Sequence, residues 1–156
     1  MPDFAATDLA LAIAHHLLIF ALAGVLVFEI AVIRAAMTAT DIARVGRVDL
    51  WYGILAALIL AVGFSRAVFA AKGWAYYSVN TFFWAKIGTF AVIGLLSIMP
   101  TVAIIRWRRA LAADPTFAPP LSAIRTIRRF LWAEVLLFAL LPAFAAAMAR
   151  GYGMPA

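Results

Sequence analysis

The chain of 156 residues has no cysteine. That removes disulfide frameworks, thiolate nucleophiles and cysteine-held metal or iron–sulfur sites. Histidine occurs only twice, too few for a zinc hydrolase, which needs three converging protein ligands. Charge is scarce as well: 13% of residues are Asp, Glu, Lys or Arg, where a soluble domain carries about a quarter. No P-loop, Gly-rich dinucleotide turn or nucleophile elbow is present. Nor is there a soluble domain, an internal repeat, a low-complexity tail or the strict alternation of a barrel strand. What fills the chain instead is apolar: 67% hydrophobic residues and a mean hydropathy of +1.04. The solvent of such a surface is lipid.

Four stretches, about 9–33, 50–71, 82–105 and 130–149, meet the roughly 20-residue length of a membrane span. Backbone groups must satisfy one another in lipid, so these are helices. The expected fold is all-α: one domain over 1–156, an up-down bundle of four transmembrane helices joined by 34–49, 72–81 and 106–129. The first apolar run is too long for a signal-peptide core and reads as a retained helix.

Lysine and arginine set the orientation. The first and third connections carry nine of the thirteen, Arg34, Arg44, Arg47, Arg106, Arg108, Arg109, Arg125, Arg128 and Arg129, against Lys72 and Arg150 on the other side. The positive-inside rule then predicts both termini outside. The pI near 10.5 is a topology signal with a share for anionic lipid, and nucleic acid is not an expected partner. Trp51, Tyr52, Trp107 and Trp132 are expected at the inner interface; Trp74, Tyr76, Tyr77, Trp84 and Tyr152 at the outer one.

Polar residues inside spans are the functional candidates. His15, His16, Arg66, Lys86, Met148 and Arg150 fall toward the outer side, and Glu29, Arg34, Asp49 and Glu134 toward the inner. At 100° per residue, Asp8, His15 and Glu29 share one stripe of the first helix. His16 points about 100° away, along Ala12, Phe20 and Ala23. Lys86 shares a stripe with Gly94, Ser97 and Thr101, and Glu134 with Ala145 and Met148, although Pro142 is expected to kink that helix. Lys86 is therefore expected to point inward at the histidine level. Blander roles stand beside these: Lys86 and Arg66 as snorkelling anchors, Glu29 and Glu134 as topology locks paired with Arg34, Arg47 or Arg129, Met148 as packing, and the histidines as interhelical hydrogen-bond formers.

A histidine in a bundle core with cations above it suits haem b. Imidazole supplies an axial ligand and Arg or Lys meets the propionates. His15 is preferred to His16 because its stripe is the polar one. Arg66 and Lys86 would hold propionates or an anionic substrate, and Met148 is a candidate sixth ligand. Adjacent histidines cannot clamp one haem from opposite faces, so a second protomer could complete the ligand set in a homo-oligomer. If the protein is an enzyme, it is a membrane oxidoreductase needing an electron partner such as quinone. The alternatives are a cofactor-free transporter or channel for a small ion, with Lys86 and Arg66 selecting charge, or an accessory subunit of a larger membrane complex.

"AHHLLIFALAG", "KGWAYYSVNTFFWAKIGTFAVIGLLSIMPT" and "IRWRR" resemble a bacterial family of predicted four-span membrane proteins of unknown function. That resemblance implies a multi-pass protein of the bacterial cytoplasmic (inner) membrane. A more distant likeness is to the small membrane protoporphyrinogen IX oxidases, which bind haem b, and to the copper-resistance D membrane domains. It rests on His15 or His16 with Gly24, and on Lys86 in the third span. It implies that the histidine and Lys86 are functional. The sequence departs from the oxidases in lacking the Trp two turns after their histidine and their additional histidines.

Overall fold

The computed structural model describes residues 4–69 and 72–155. Six helices follow in order: α1 Phe4–Val32, α2 Ala39–Phe69, α3 Gly73–Val79, α4 Thr81–Ala113, α5 Leu121–Phe138 and α6 Leu140–Ala149. The described residues contain no strand. Ala5–Val32, Ala39–Phe69, Thr81–Ala113 and Leu121–Ala149 are each long and apolar enough to cross a membrane. At 1.5 Å per residue the 29 residues of α1 reach about 43 Å, more than a hydrocarbon core of about 30 Å.

The helices run past the expected spans at the arginine-rich end. α2 begins eleven residues before position 50 because Thr38 and Asp41 close a reciprocal cap. Asp41 Oδ2 accepts from the Thr38 N–H at 3.0 Å and from its hydroxyl, while the Asp41 N–H donates to Thr38 Oγ1 at 3.2 Å. This is a capping box with Asp in the Glu position. α4 continues through Arg106–Arg109 to Ala113, and α5 starts directly after Pro119–Pro120. Only short turns remain of the connections at 34–49 and 106–129. The connection at 72–81 holds α3 and the α4 cap, with residue 71, the expected end of the second span, outside the described residues. Pro142 has no N–H to give the Phe138 carbonyl, and the fourth span breaks at Ala139 into α5 and α6, the expected kink.

The helices adjoin in a ring: α1 packs on α2 and α5, α2 on α4, and α4 on α5 and α6. α1 approaches neither α4 nor α6. Inward positions recur at sevens, Val45–Tyr52–Ile59 on α2 and Ile93–Pro100–Trp107 on α4, the spacing of long, shallow-angle helix contacts. On α5 the buried Ile124, Ile127, Leu131 and Glu134 follow the same rule. Outward positions such as Leu17, Phe20, Leu95 and Leu136 are largely exposed, as a lipid-facing surface requires. The continuous apolar core, from Leu22 and Leu26 through Ile33, Ile42, Ile104 and Ile127, lies in the arginine-rich half. The other half holds few buried side chains, and its site is built there.

Two aromatic expectations are corrected by this packing. Trp107 (5% exposed) and Tyr52 (6%) are core residues rather than interface anchors. Trp51, Trp74, Trp84, Trp132 and Tyr152 do lie exposed.

Candidate functional site

Two polar clusters sit between the helices, one in each half. In the histidine half, α1 presents His15, α2 presents Gly63 and Arg66, and α4 presents Lys86. His15 is 9% exposed, and its Nδ1 is enclosed with no hydrogen-bond partner. It is packed against Gly63, where an added Cβ would stand 3.2 Å from its Cε1. Glycine at this position leaves room for the imidazole to approach α2 this closely. Lys86 and Arg66 are within charge-interaction range of His15 and of one another. Arg66 Nε is likewise enclosed without a partner, so this guanidinium is not a plain interfacial anchor. Lys86 is half-buried, its Nζ leaning 5.7 Å from the centroid of the Phe83 ring, toward the start of α4. Asp8, two turns before His15 on the same stripe, encloses a further unpartnered oxygen, Oδ1.

Two further candidates stand apart. His16 is exposed, and its Nδ1 lies 2.6 Å from the Ala12 carbonyl one turn back. Met148 belongs to α6, which packs on α4 and α5 and not on α1; its carbonyl accepts from the Tyr76 hydroxyl at 2.9 Å. His15, Arg66 and Lys86 thus lie within charge range of one another, while His16 is exposed on the other side of α1. No group of three or more His, Cys, Asp and Glu among the described residues is arranged to hold a metal ion.

In the arginine-rich half the acids do not pair with arginines as expected. Glu29 of α1 and Glu134 of α5 are 1% and 0% exposed. They lie within charge range of one another and of Asp49. Tyr52 donates its hydroxyl to Glu134 Oε2 at 2.9 Å, and Thr101 donates to Asp49 Oδ1 at 2.7 Å. Glu29 Oε1 and Glu134 Oε1 have no partner. The arginines are engaged elsewhere. Arg34 faces Asp41 at 3.9 Å, the one ion pair among the described residues. Arg128 Nη1 caps the end of α1, donating to the Ile30 carbonyl at 2.6 Å and to that of Ile33, where carbonyls have no helical partner. An unpaired carboxylate in such a place costs several kcal/mol. The topology-lock reading of Glu29 and Glu134 therefore fails, because each has the other as neighbour and neither forms an ion pair among the described residues.

Beside this cluster a cavity of about 580 Å³ runs between α2 and α4. Asp49, Tyr52, Ser97 and Thr101 line it, with Gly46 and Arg108 at one end. Arg108 lies over Gly46, where a Cβ would collide with it. Ser97 and Thr101 belong to the stripe read for Lys86, about three and four turns further along α4.

Asn80 was not singled out by sequence, yet it is fully buried. Its Oδ1 accepts from the N–H groups of Phe82 and Phe83, and its Nδ2 donates to the Tyr152 carbonyl at 3.0 Å. The Thr81 N–H reaches the Gly153 carbonyl at 2.9 Å. Asn is a strong N-cap type, and that is the signal that could have found it.

The family model described as "Predicted membrane protein (DUF2214)" matches residues 7–153, nearly the whole chain. No curated protein and no solved structure matches it.

Proposed function

The chain belongs to this DUF2214 family of predicted membrane proteins, and on that premise we propose a multi-pass protein of the bacterial cytoplasmic membrane that holds haem b in its histidine half. The observation that carries this reading is the enclosed, unpartnered imidazole of His15 facing two cations, Arg66 and Lys86. Imidazole is an axial ligand, and paired cations from α2 and α4 suit two propionates. His15 would hold the iron, and Arg66 and Lys86 the carboxylates. Bound haem supplies one-electron redox chemistry, with a membrane quinone as the class of electron partner. α1 contributes one inward imidazole only, so a two-fold dimer would complete the ligand set. Nine arginines on two connections against Lys72 and Arg150 support an up-down bundle with both termini outside, which puts this chemistry in the outer leaflet.

The test is a dithionite-reduced minus oxidised absorption spectrum of protein purified in mild detergent after haem-supplemented expression, with pyridine haemochrome quantitation. A Soret peak with sharp α and β bands, at one haem per chain or per two chains, is expected. His15→Ala removes it, and so does Gly63→Leu by displacing the ring, while His16→Ala keeps it. A featureless spectrum overturns the haem reading. The same unneutralised cations would then support the second one, a cofactor-free pathway for a small anion selected by Arg66 and Lys86, tested by uptake into proteoliposomes.

A further inference from the structure

The cluster in the arginine-rich half does not depend on haem, and the histidine site makes no use of it. Glu29, Asp49 and Glu134 come from three helices, and Tyr52 bridges to one of them. Everything titratable or charged that faces the cluster can be named. α1 gives Glu29, α2 gives Asp49 and Tyr52, and α5 gives Glu134. α4 adds the neutral Thr101 and, at the far end of the cavity, Arg108. The remaining basic neighbour, Arg128, is turned onto the α1 carbonyls. Three acids thus lie together with no ion-pair partner among the described residues.

A membrane interior tolerates such a group only if protons neutralise it. Two observations besides the clustering point to an exchangeable ligand. Glu29 Oε1 and Glu134 Oε1, on side chains at 1% and 0% exposure, are enclosed with no hydrogen-bond partner. Asp49 and Tyr52 line the cavity between α2 and α4, and half-buried Asp49 lies within charge range of the two enclosed glutamates. No arrangement of metal-ligating geometry is present there among the described residues, and a proton needs none.

We infer that Glu29, Asp49 and Glu134, with Tyr52, form a proton-binding site that exchanges through the α2–α4 cavity. Glu29 and Glu134 store the proton between them. The Tyr52 hydroxyl orients Glu134 and hands Asp49 no proton of its own, while Asp49 is the entry group. Sites of this composition in membranes are proton relays, and this one would give the protein a proton-coupled step whatever the histidine half binds.

The experiment is infrared difference spectroscopy of the full chain reconstituted in vesicles, titrated from about pH 6 to about pH 9, a range over which an unperturbed carboxyl is almost wholly ionised. The expected spectrum contains a protonated-carboxyl C=O band at neutral pH that shifts in D₂O. Glu134→Gln and Glu29→Gln each reduce or abolish it, Tyr52→Phe shifts it, and Asp49→Asn keeps it but slows its exchange with D₂O. If one Gln variant fails to fold, the other and Tyr52→Phe still decide the question. Absence of the band in the wild type, or its full retention in both Gln variants, overturns the inference. So does loss of the band on adding Na⁺ or Mg²⁺ at fixed pH, which would make it a cation site. A colourless preparation removes the haem reading and leaves this band untouched, so the two proposals fail separately.

Discussion

Tyr52 shows how much one hydroxyl carries in a lipid-solvated core. Its O–H satisfies one oxygen of a fully buried glutamate, and nothing else donates to that side chain among the described residues. Tyr52→Phe keeps the packing and removes only the donor. The expected loss is about 1–3 kcal/mol, the cost of stranding a buried acceptor, read as a lower unfolding midpoint in detergent. Tyr52→Leu should be worse, because it also opens a cavity. Asn80 is the second residue whose removal strands buried groups. Asn80→Ala frees two N–H groups of α4 and the Tyr152 carbonyl together, and should cost about 2 kcal/mol. Its partner turn is equally strict: Gly153 sits at φ +84°, and a Cβ there would stand 2.7 Å from Phe82 Cδ2. Gly153→Ala is expected to destabilise the protein by a similar route, and a double variant with Asn80→Ala should show clear non-additivity. Additive losses would mean that the two residues act on separate contacts.

Elements were legible where hydropathy alone decides. Four spans follow from apolar length, and the kink from Pro142, because lipid leaves the backbone no choice but helix. Their ends were not legible from hydropathy, since a helix may leave the hydrocarbon and continue through Arg44, Arg47 or Arg106 with its hydrogen bonds intact. The T-x-x-D cap at Thr38–Asp41 did mark the start of α2, and charge density hid it. Thr38→Val keeps the shape but removes the hydroxyl from that cap. Its expected cost is about 1 kcal/mol, with faster amide exchange confined to the first turn of α2. Uniform exchange along α2 would show that the cap is not what ends it there. The candidate site divides the same way. The 3.6-residue phase turned His15 inward and His16 outward, which the structure repeats. Phase says nothing about position across a break, and Met148 lies beyond it on α6, which packs on α4 and α5. Tyr52 and Trp107 were misplaced for a related reason: near the end of an apolar run, an interface residue and a core residue have the same sequence neighbours, and only the packing partner separates them. Straightening the break is itself testable. Pro142→Ala restores the hydrogen bond to Phe138, so α5 and α6 should merge and α6 should swing from α4. Spin labels at positions 84 and 146, both exposed, would then report a longer distance; an unchanged distance would assign the bend to packing on α4 and not to proline.

The whole molecule has two unlike halves: one that holds most of the buried apolar core and ends in arginines, and one with few buried side chains around His15. Which half faces the cytoplasm decides what each cluster can exchange with. An anion-attracting pair beside His15 samples the outside only if the arginine-rich turns are inside, and the acid cluster then draws protons from the cytoplasm. The absence of cysteine makes the test direct, because one introduced thiol is the only one. Ala75→Cys on α3 and Ala118→Cys before α5 are both at exposed positions at opposite ends of the bundle. In intact cells a membrane-impermeant maleimide should label position 75 at once and position 118 only after the membrane is opened. The reverse pattern would invert the sidedness of both clusters and defeat the charge count on which the orientation rests. It would also remove the physical reason for nine arginines at one end of the bundle, since those residues would then face a surface with no excess of anionic lipid.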